Sequence, residues 1–176
     1  MGESTQSSLL LHTCCACCAC HPISILKDYQ ITLFFTCSNL DSEEEYNKRL
    51  LALKHVSEHH NLPLIIDPYN HSDWLSFIAG HENEPEKGKR CTLCFEYTLK
   101  RLVAHSTDFN HITTTLTVSP HKHSETIFKI GEKLTPKFLP INFKKQDGFK
   151  KTTEKSRQLE LYRQTYCGCE FSHKLL

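Results

Sequence analysis

An α/β fold, a single domain on a mainly parallel sheet flanked by helices in the Rossmann-like, nucleotide-hydrolase manner, is what the sequence predicts. Three observations lead there. Apolar runs of strand length alternate with stretches of helical periodicity, as in a chain of β-α-β units. The runs Leu9-Leu10-Leu11 and Ile31-Thr32-Leu33-Phe34-Phe35 are nearly continuous rather than alternating, which fits parallel strands covered on both faces. The 176 residues suit one domain, spanning 1–176, with a core of its own.

The first strand, Leu9 to Thr13, runs straight into a cysteine-rich segment, and the second follows at Ile31 to Phe35. Ser42 and Glu45 have the spacing of a capping box, and the helix they open carries Tyr46, Leu50, Leu53 and Val56 along one stripe. Asn61 and Pro63 stop it, and Leu64-Ile65-Ile66 forms a third strand. A short helix around Trp74, Phe77 and Ile78 ends near Gly80, and Glu82 to Arg90 is a polar loop. The next helix starts near Cys91 and buries Phe95, Leu99, Leu102 and Val103. Ile112 to Val118 is Thr-rich and reads as a fourth strand. Ser124 caps a helix to about Leu134, Phe138 to Ile141 reads as an edge strand, and a final helix covers about Thr153 to Thr165 with Leu159 and Tyr162 inward.

Composition removes several classes. Hydrophobic residues at 39% and charged residues at 23% are those of a soluble globular protein. No apolar run approaches the roughly 20 residues of a membrane span, so no membrane partner is expected. The polar start Met1 to Ser8 brings no basic region before Leu9, which argues against a signal peptide and for a cytoplasmic protein. A formal net charge of +1 argues against bulk electrostatic capture of nucleic acid while allowing a local basic face.

Ten cysteines are the anomaly. Without an export signal, and with enough apolar residues for a core, a disulfide framework is the poorer explanation and thiolate chemistry in a reducing compartment the better one. They form three separated clusters: Cys14-Cys15-Ala16-Cys17-Cys18-Ala19-Cys20, Cys91-Thr92-Leu93-Cys94 and Cys167-Gly168-Cys169. The first follows strand one directly, where open parallel sheets collect functional groups. Cys91 and Cys94 share one face of a helix, at an amino end that favours the thiolate. Soft thiolates select zinc or iron–sulfur clusters. Ligands drawn from distant segments, with cysteines to spare, lean toward an iron–sulfur cofactor in a folded domain, and spacing carries the choice no further. Cys37 reads as a buried, inert thiol, and Cys17 and Cys20 as spare ligands or bystanders. Cys167 and Cys169 can ligate metal or close as a strained, readily reduced disulfide.

These residues resemble a family. Leu9 to Cys18, LLLHTCCACC, is similar to the LLLHxCCAPC opening of the cobalamin-independent, iron–sulfur epoxyqueuosine reductases. The likeness continues through Glu45-Tyr46 and Arg49, the run from Glu84 to Phe95, the run from Thr113 to Lys122, and Leu161 to Ser172, and so covers nearly the whole chain. It implies reduction of epoxyqueuosine to queuosine at the wobble position of tRNA, the last step of that pathway. A [4Fe–4S] cluster and an adjacent mononuclear iron are implied with it, as is an unidentified electron donor. By motif match the cluster ligands are Cys14, Cys15, Cys91 and Cys94. Cys167 and Cys169 match the terminal pair, a redox-active disulfide or further metal ligands, and Cys18 matches a position suited to the second iron. Cys17 stands where the family has proline, and Thr36-Cys37-Ser38-Asn39 stands where it has Tyr-Asn-Pro-Asn.

Turning an epoxide into an alkene takes two electrons and two protons and releases water. His12, Glu84, Glu86 and Tyr166 are the candidate proton donors. Lys87, Lys89, Arg90, Lys122 and Arg163 are candidates for phosphate contacts, with Lys144, Lys145, Lys150 and Lys151 as a second basic stretch. Tyr162 and Tyr166 can stack on a splayed base, though helical spacing places Tyr162 in the core. The alternative from another class is a non-catalytic zinc-binding tRNA or protein interaction module.

Overall fold

The computed structural model describes residues 6–172. Four parallel strands form one sheet: β1 (Ser8–Thr13), β2 (Gln30–Phe35), β3 (Leu64–Ile66) and β4 (His111–Thr114), in the order β3-β2-β1-β4. Six α-helices accompany them: α1 (Ala16–Ile25), α2 (Glu43–His59), α3 (His71–Phe77), α4 (Lys89–Ala104), α5 (Ser124–Leu134) and α6 (Gly148–Gln158). No helix among the described residues is long and apolar enough to cross a membrane.

The unbroken apolar runs have the cause the sequence implies. In register, Leu9 lies opposite both Ile31 and His111, and Leu11 opposite Leu33 and Thr113. Leu9, Leu11, Leu33 and Phe35 point to one face and pack with Ala19, Ile23, Leu53 and Val56 of α1 and α2. Leu10 and Phe34 point to the other and pack with Leu99, Leu102 and Ile127 of α4 and α5. With both faces covered, neither parity of a strand is free to be polar.

Helix ends are fixed by local chemistry. Ser42 caps α2 by accepting from Glu45 N at 3.2 Å, with Glu43, Glu44 and Glu45 all in the first turn. Asn61, at φ +52°, closes the same helix: its N–H reaches Glu58 O, and Leu62 N reaches Ser57 O. That paired pattern is a Schellman motif. α6 ends identically, with Glu160 at φ +50°, Glu160 N on Arg157 O and Leu161 N on Ser156 O.

Five elements differ from expectation. α1 was not foreseen, because its sequence ACCACHPISI is buried nearly all round and carries Pro22, so no amphipathic stripe announces it. β4 ends at Thr114, whose hydroxyl accepts from Leu116 N and turns the chain into a buried 3₁₀ turn over Thr115–Val118. The α5 cap position is His123, and Ser124 is already inside the helix. The edge strand shrinks to one bridge between Ile112 and Phe138, since Pro140 has no N–H with which to extend the ladder. α6 lies earlier than expected, stopping at Gln158, and residues 159–172 are an irregular arm with Tyr162 exposed on it.

Glu160 occupies a position that glycine fills without steric cost. Glu160→Gly is expected to raise unfolding stability by about 0.5–1 kcal/mol. Denaturant titration reads this as a higher midpoint at unchanged slope, and a lower midpoint would show that the arm is held some other way.

Candidate metal centre

Strand β1 is where the sheet divides, with β2 bonded on one side and β4 on the other. Connections leaving the carboxyl ends therefore part here and open a crevice. The chain enters it as Cys14-Cys15. Cys15 is the N-cap of α1 in extended conformation, and its Sγ accepts from Cys18 N at 3.4 Å. One turn of helix thus gathers the sulfurs of Cys14, Cys15 and Cys18 within 4.8 Å of one another. Hydrogen bonds from Cys15 and then Cys18 pull the Cys14 thiol well below its ordinary range, while their bonds to Cys14 push Cys15 and Cys18 up.

A cavity of about 610 Å³ opens beside this group. Cys14, Cys17 and Cys18 line it from the β1–α1 segment, Cys37 from the end of β2, Cys91 and Cys94 from the first turns of α4, and Cys167 and Cys169 from the carboxyl-terminal strap. Cys15 stands with its two neighbours at the wall, and Cys20 turns away, its thiol donating to Ala16 O inside α1. Cys17 donates to Tyr162 O and Cys37 to Cys14 O, the latter buried as expected. Burial first, and then negative charge at Cys167, push the Cys94 thiol up. Cys167 and Cys169 are free thiols, the first exposed and the second buried, and no disulfide joins them.

Arginines place the two later clusters. Arg90, 3% exposed, donates through Nη1 to the carbonyls of Glu82 and Glu84 and lies 4.8 Å from the centre of the Phe171 ring. It staples the loop before α4, so it is structural here rather than offered to a phosphate. Lys87 N donates to Cys91 Sγ at 3.3 Å from the same loop. Arg49, 2% exposed, donates through Nε to Glu45 Oε1 at 2.7 Å and through Nη1 to Cys167 O at 3.2 Å. Tyr166 lies against the same guanidinium, and Tyr162 OH donates to Glu45 Oε2 at 2.7 Å. Gly168 passes over this anchor at φ +122°, where a Cβ would stand 2.2 Å from Leu40 Cδ2 and 2.9 Å from Arg49 Nη2. Only glycine serves there.

The other expected site residues divide. His12 lines the cavity but is fully buried, with Nδ1 at 2.8 Å from Thr114 Oγ1 and Nε2 at 3.4 Å from Thr36 O. Both nitrogens are engaged and burial lowers its pKa, so it packs as a neutral imidazole. Glu86 and Tyr166 line the cavity, whereas Glu84 lies outside it beside His81. Tyr166 OH donates to Asp41 Oδ1 at 2.9 Å. Lys87, Lys122 and Arg163 line the cavity as well. Burial works against the Lys122 ammonium, but the charges of Cys167, Cys14, Cys18 and Cys15 outweigh it and raise its pKa. Sequence reasoning missed the positioning role of Arg49 and the placement of Trp74 on the cavity wall. The signal for Arg49 was present: Glu45, Arg49, Ala52 and Val56 fall on one buried stripe of α2, and two of the four are charged.

The residues fit an iron–sulfur group on two counts. The donor set is soft and anionic, drawn from three distant segments. Arg49 Nη2 is buried at the cavity with no hydrogen-bond partner, a donor that a sulfide or thiolate would satisfy. A family model described as epoxyqueuosine reductase QueH matches residues 9–175. The chain belongs to the epoxyqueuosine reductase QueH family. Among proteins bearing that name, the one from Streptococcus pyogenes is 32% identical over 98% of this chain and 73% of its own length. The one from Acinetobacter baylyi is 35% identical over 93% of this chain and 79% of its own. For Thermotoga maritima the values are 32%, 95% and 91%.

For this family member, Gly168→Ala should lift the strap from Arg49. The expected cost is about 1–3 kcal/mol of stability, from a backbone conformation closed to alanine and from overpacking. Alkylation of Cys169 in the metal-free protein should accelerate. A variant with native stability and native Cys169 protection would show that the strap is not anchored through this contact.

Proposed function

We propose that this protein reduces the epoxide of epoxyqueuosine to the alkene of queuosine in tRNA, using thiolate-held iron. The observation that carries the reading is the convergence of the Cys14-Cys15-Cys18 group, the Cys91/Cys94 pair and the Cys167/Cys169 pair on one cavity, in a chain of this family. Cys14, Cys15, Cys91 and Cys94 would hold a [4Fe–4S] cluster. Cys18, Cys167 and Cys169 would hold an adjacent iron, or the last two would act as a dithiol. Bound there, such centres supply single electrons and a Lewis acid for the epoxide oxygen.

The chain's own residues account for the rest. A cavity of about 610 Å³ admits a single extruded nucleoside, within the roughly 300–1,000 Å³ usual for small-molecule sites. The leaving oxygen becomes negative before it departs as water, and Lys122 is the cation that stabilises it. Tyr166, held through its hydroxyl by Asp41, and Glu86 are candidate groups on the wall to hold a proton. Two electrons come from an external donor, and two protons from solvent by way of these groups. A structural zinc takes four ligands, and the cavity collects more thiols than that from segments too distant for a zinc knuckle.

Anaerobically purified protein should be brown and contain iron and acid-labile sulfide, and it should convert epoxyqueuosine in tRNA. Cys91→Ala and Cys94→Ala should each lose colour and at least about 100-fold in rate, the scale seen when a metal site is disrupted. Cys20→Ala, outside the cavity, should keep both. Colourless protein with stoichiometric zinc, or full turnover in either α4 variant, would sink the reading.

A further inference from the structure

Next to the thiol cavity, and sharing Lys87, His121, Lys122 and His123 with it, lies a second hollow of about 400 Å³ at the amino end of α5. The reduction chemistry makes no use of it. α5 has no side-chain cap: His123 stands at the cap position with Nδ1 at 3.0 Å from Thr126 Oγ1, and the N–H groups of the first turn have no side-chain acceptor. Ser124, which begins the helix and lines the hollow, is 6% exposed, and its hydroxyl is buried with no hydrogen-bond partner among the described residues. Lys144 is tied to the rim by donating to Lys122 O at 2.6 Å. Glu125 is the one carboxylate on the wall, against Lys87, Lys122 and Lys144, and none of these lysines makes an ion pair among the described residues.

Uncapped N–H groups, an unpartnered hydroxyl, and the ammonium groups of Lys87 and Lys144, which make no ion pair among the described residues, surround one space and are what an anionic oxygen ligand requires. Burial and then the charge of Lys122 lower the Lys144 pKa. Because the hollow adjoins the mouth of the cavity, its anion belongs to a group next to the nucleoside bound there. We propose that the amino end of α5, with Ser124 and Lys144, binds a backbone phosphodiester of the RNA, flanking the base that enters the thiol cavity. This rests on the reading of tRNA as substrate. The site fixes the register of the strand while the cavity holds the base.

The test is binding of a synthetic anticodon stem-loop RNA to the anaerobically purified holo-protein, measured over a salt series. Lys144→Gln should weaken binding about tenfold and reduce the slope of log affinity against log salt by about 0.7, the value of one phosphate in a single-stranded segment. Lys144→Arg should stay within about twofold of the parent. Glu125→Gln, at an exposed position that folding tolerates, should tighten binding about threefold. A neutral methylphosphonate placed at successive loop positions should reproduce the loss at one position, and should add nothing in Lys144→Gln. Unchanged affinity and slope in Lys144→Gln, or no tightening in Glu125→Gln, overturns the site. If inorganic phosphate binds and is lost in Lys144→Gln while RNA affinity is untouched, the assignment to RNA is overturned. Reduction of epoxyqueuosine-containing stem-loop by the parent protein, run alongside, separates the two readings. Loss of turnover with the Lys144 effect intact removes the enzyme and keeps the site, and the reverse removes the site alone.

Discussion

A buried guanidinium decides where the end of this chain can go. Arg49 and Glu45 are both almost fully enclosed, and isolating such a pair from water costs about as much as their attraction returns. A hydrophobic pair on α2 would stabilise the fold as well. What it could not do is spend five directional N–H groups on separate segments. Arg49 uses one on α2 itself, one on the Cys167 carbonyl, and turns a third toward the cavity, while Tyr162 and Tyr166 close on the same pair. The described residues after α6 form no helix or strand, so this polar anchor, with Gly168 pressed against it, brings the last two thiols to the first.

The other end of the site depends on chain direction. All strands are parallel, so every carboxyl end lies on one edge, and the divergence at β1 leaves an opening there. Cys14, Cys15 and Cys18 occupy the first turn beyond it. Three thiols so close cannot all ionise in isolation, and the opposite shifts of Cys14 and its two neighbours express that conflict. Positive charge resolves it, from the α1 amino end, from Lys122 and from Arg49. The protein is nearly neutral overall, yet Lys122 and Arg49 both stand on the wall of the thiol-lined cavity.

The sheet and its order of elements were legible because apolar runs and capping chemistry are local signals. Leu9 to Leu11 and the Ser42 cap were read for the reason that places them, and Asn61 ends α2 as expected, whereas Glu45 leaves the expected capping box unfinished because its carboxylate is taken by Arg49 and Tyr162. The cysteine clusters were legible as chemistry, since no packing role explains so many thiols. What could not be read was local structure imposed from a distance. α1 has no stripe because both neighbours bury it, and Cys15 caps it only because β1 delivers the chain in extended form. Tyr162 fits a helical stripe in sequence, but α6 closes at Glu160 before reaching it. Arg90 resembled a phosphate ligand until its carbonyl partners in the preceding loop, and Phe171, were in view.

Near-neutral charge also constrains how RNA is held. A protein that grips many phosphates loses affinity steeply as salt rises, and such binding is sequence-independent. Here the net charge is +1, and the cations Arg49 and Arg90 are already committed internally. With no broad excess of positive charge, the proposed reading leaves much of the discrimination to the nucleoside cavity. An extruded base that finds its pocket recovers the unstacking cost through burial and hydrogen bonds. One that does not fit leaves a buried wall of thiols, hydroxyls and ammonium groups unsatisfied. On the proposed reading, selectivity then rests on the fit of one modified nucleoside in the cavity more than on the grip on the backbone.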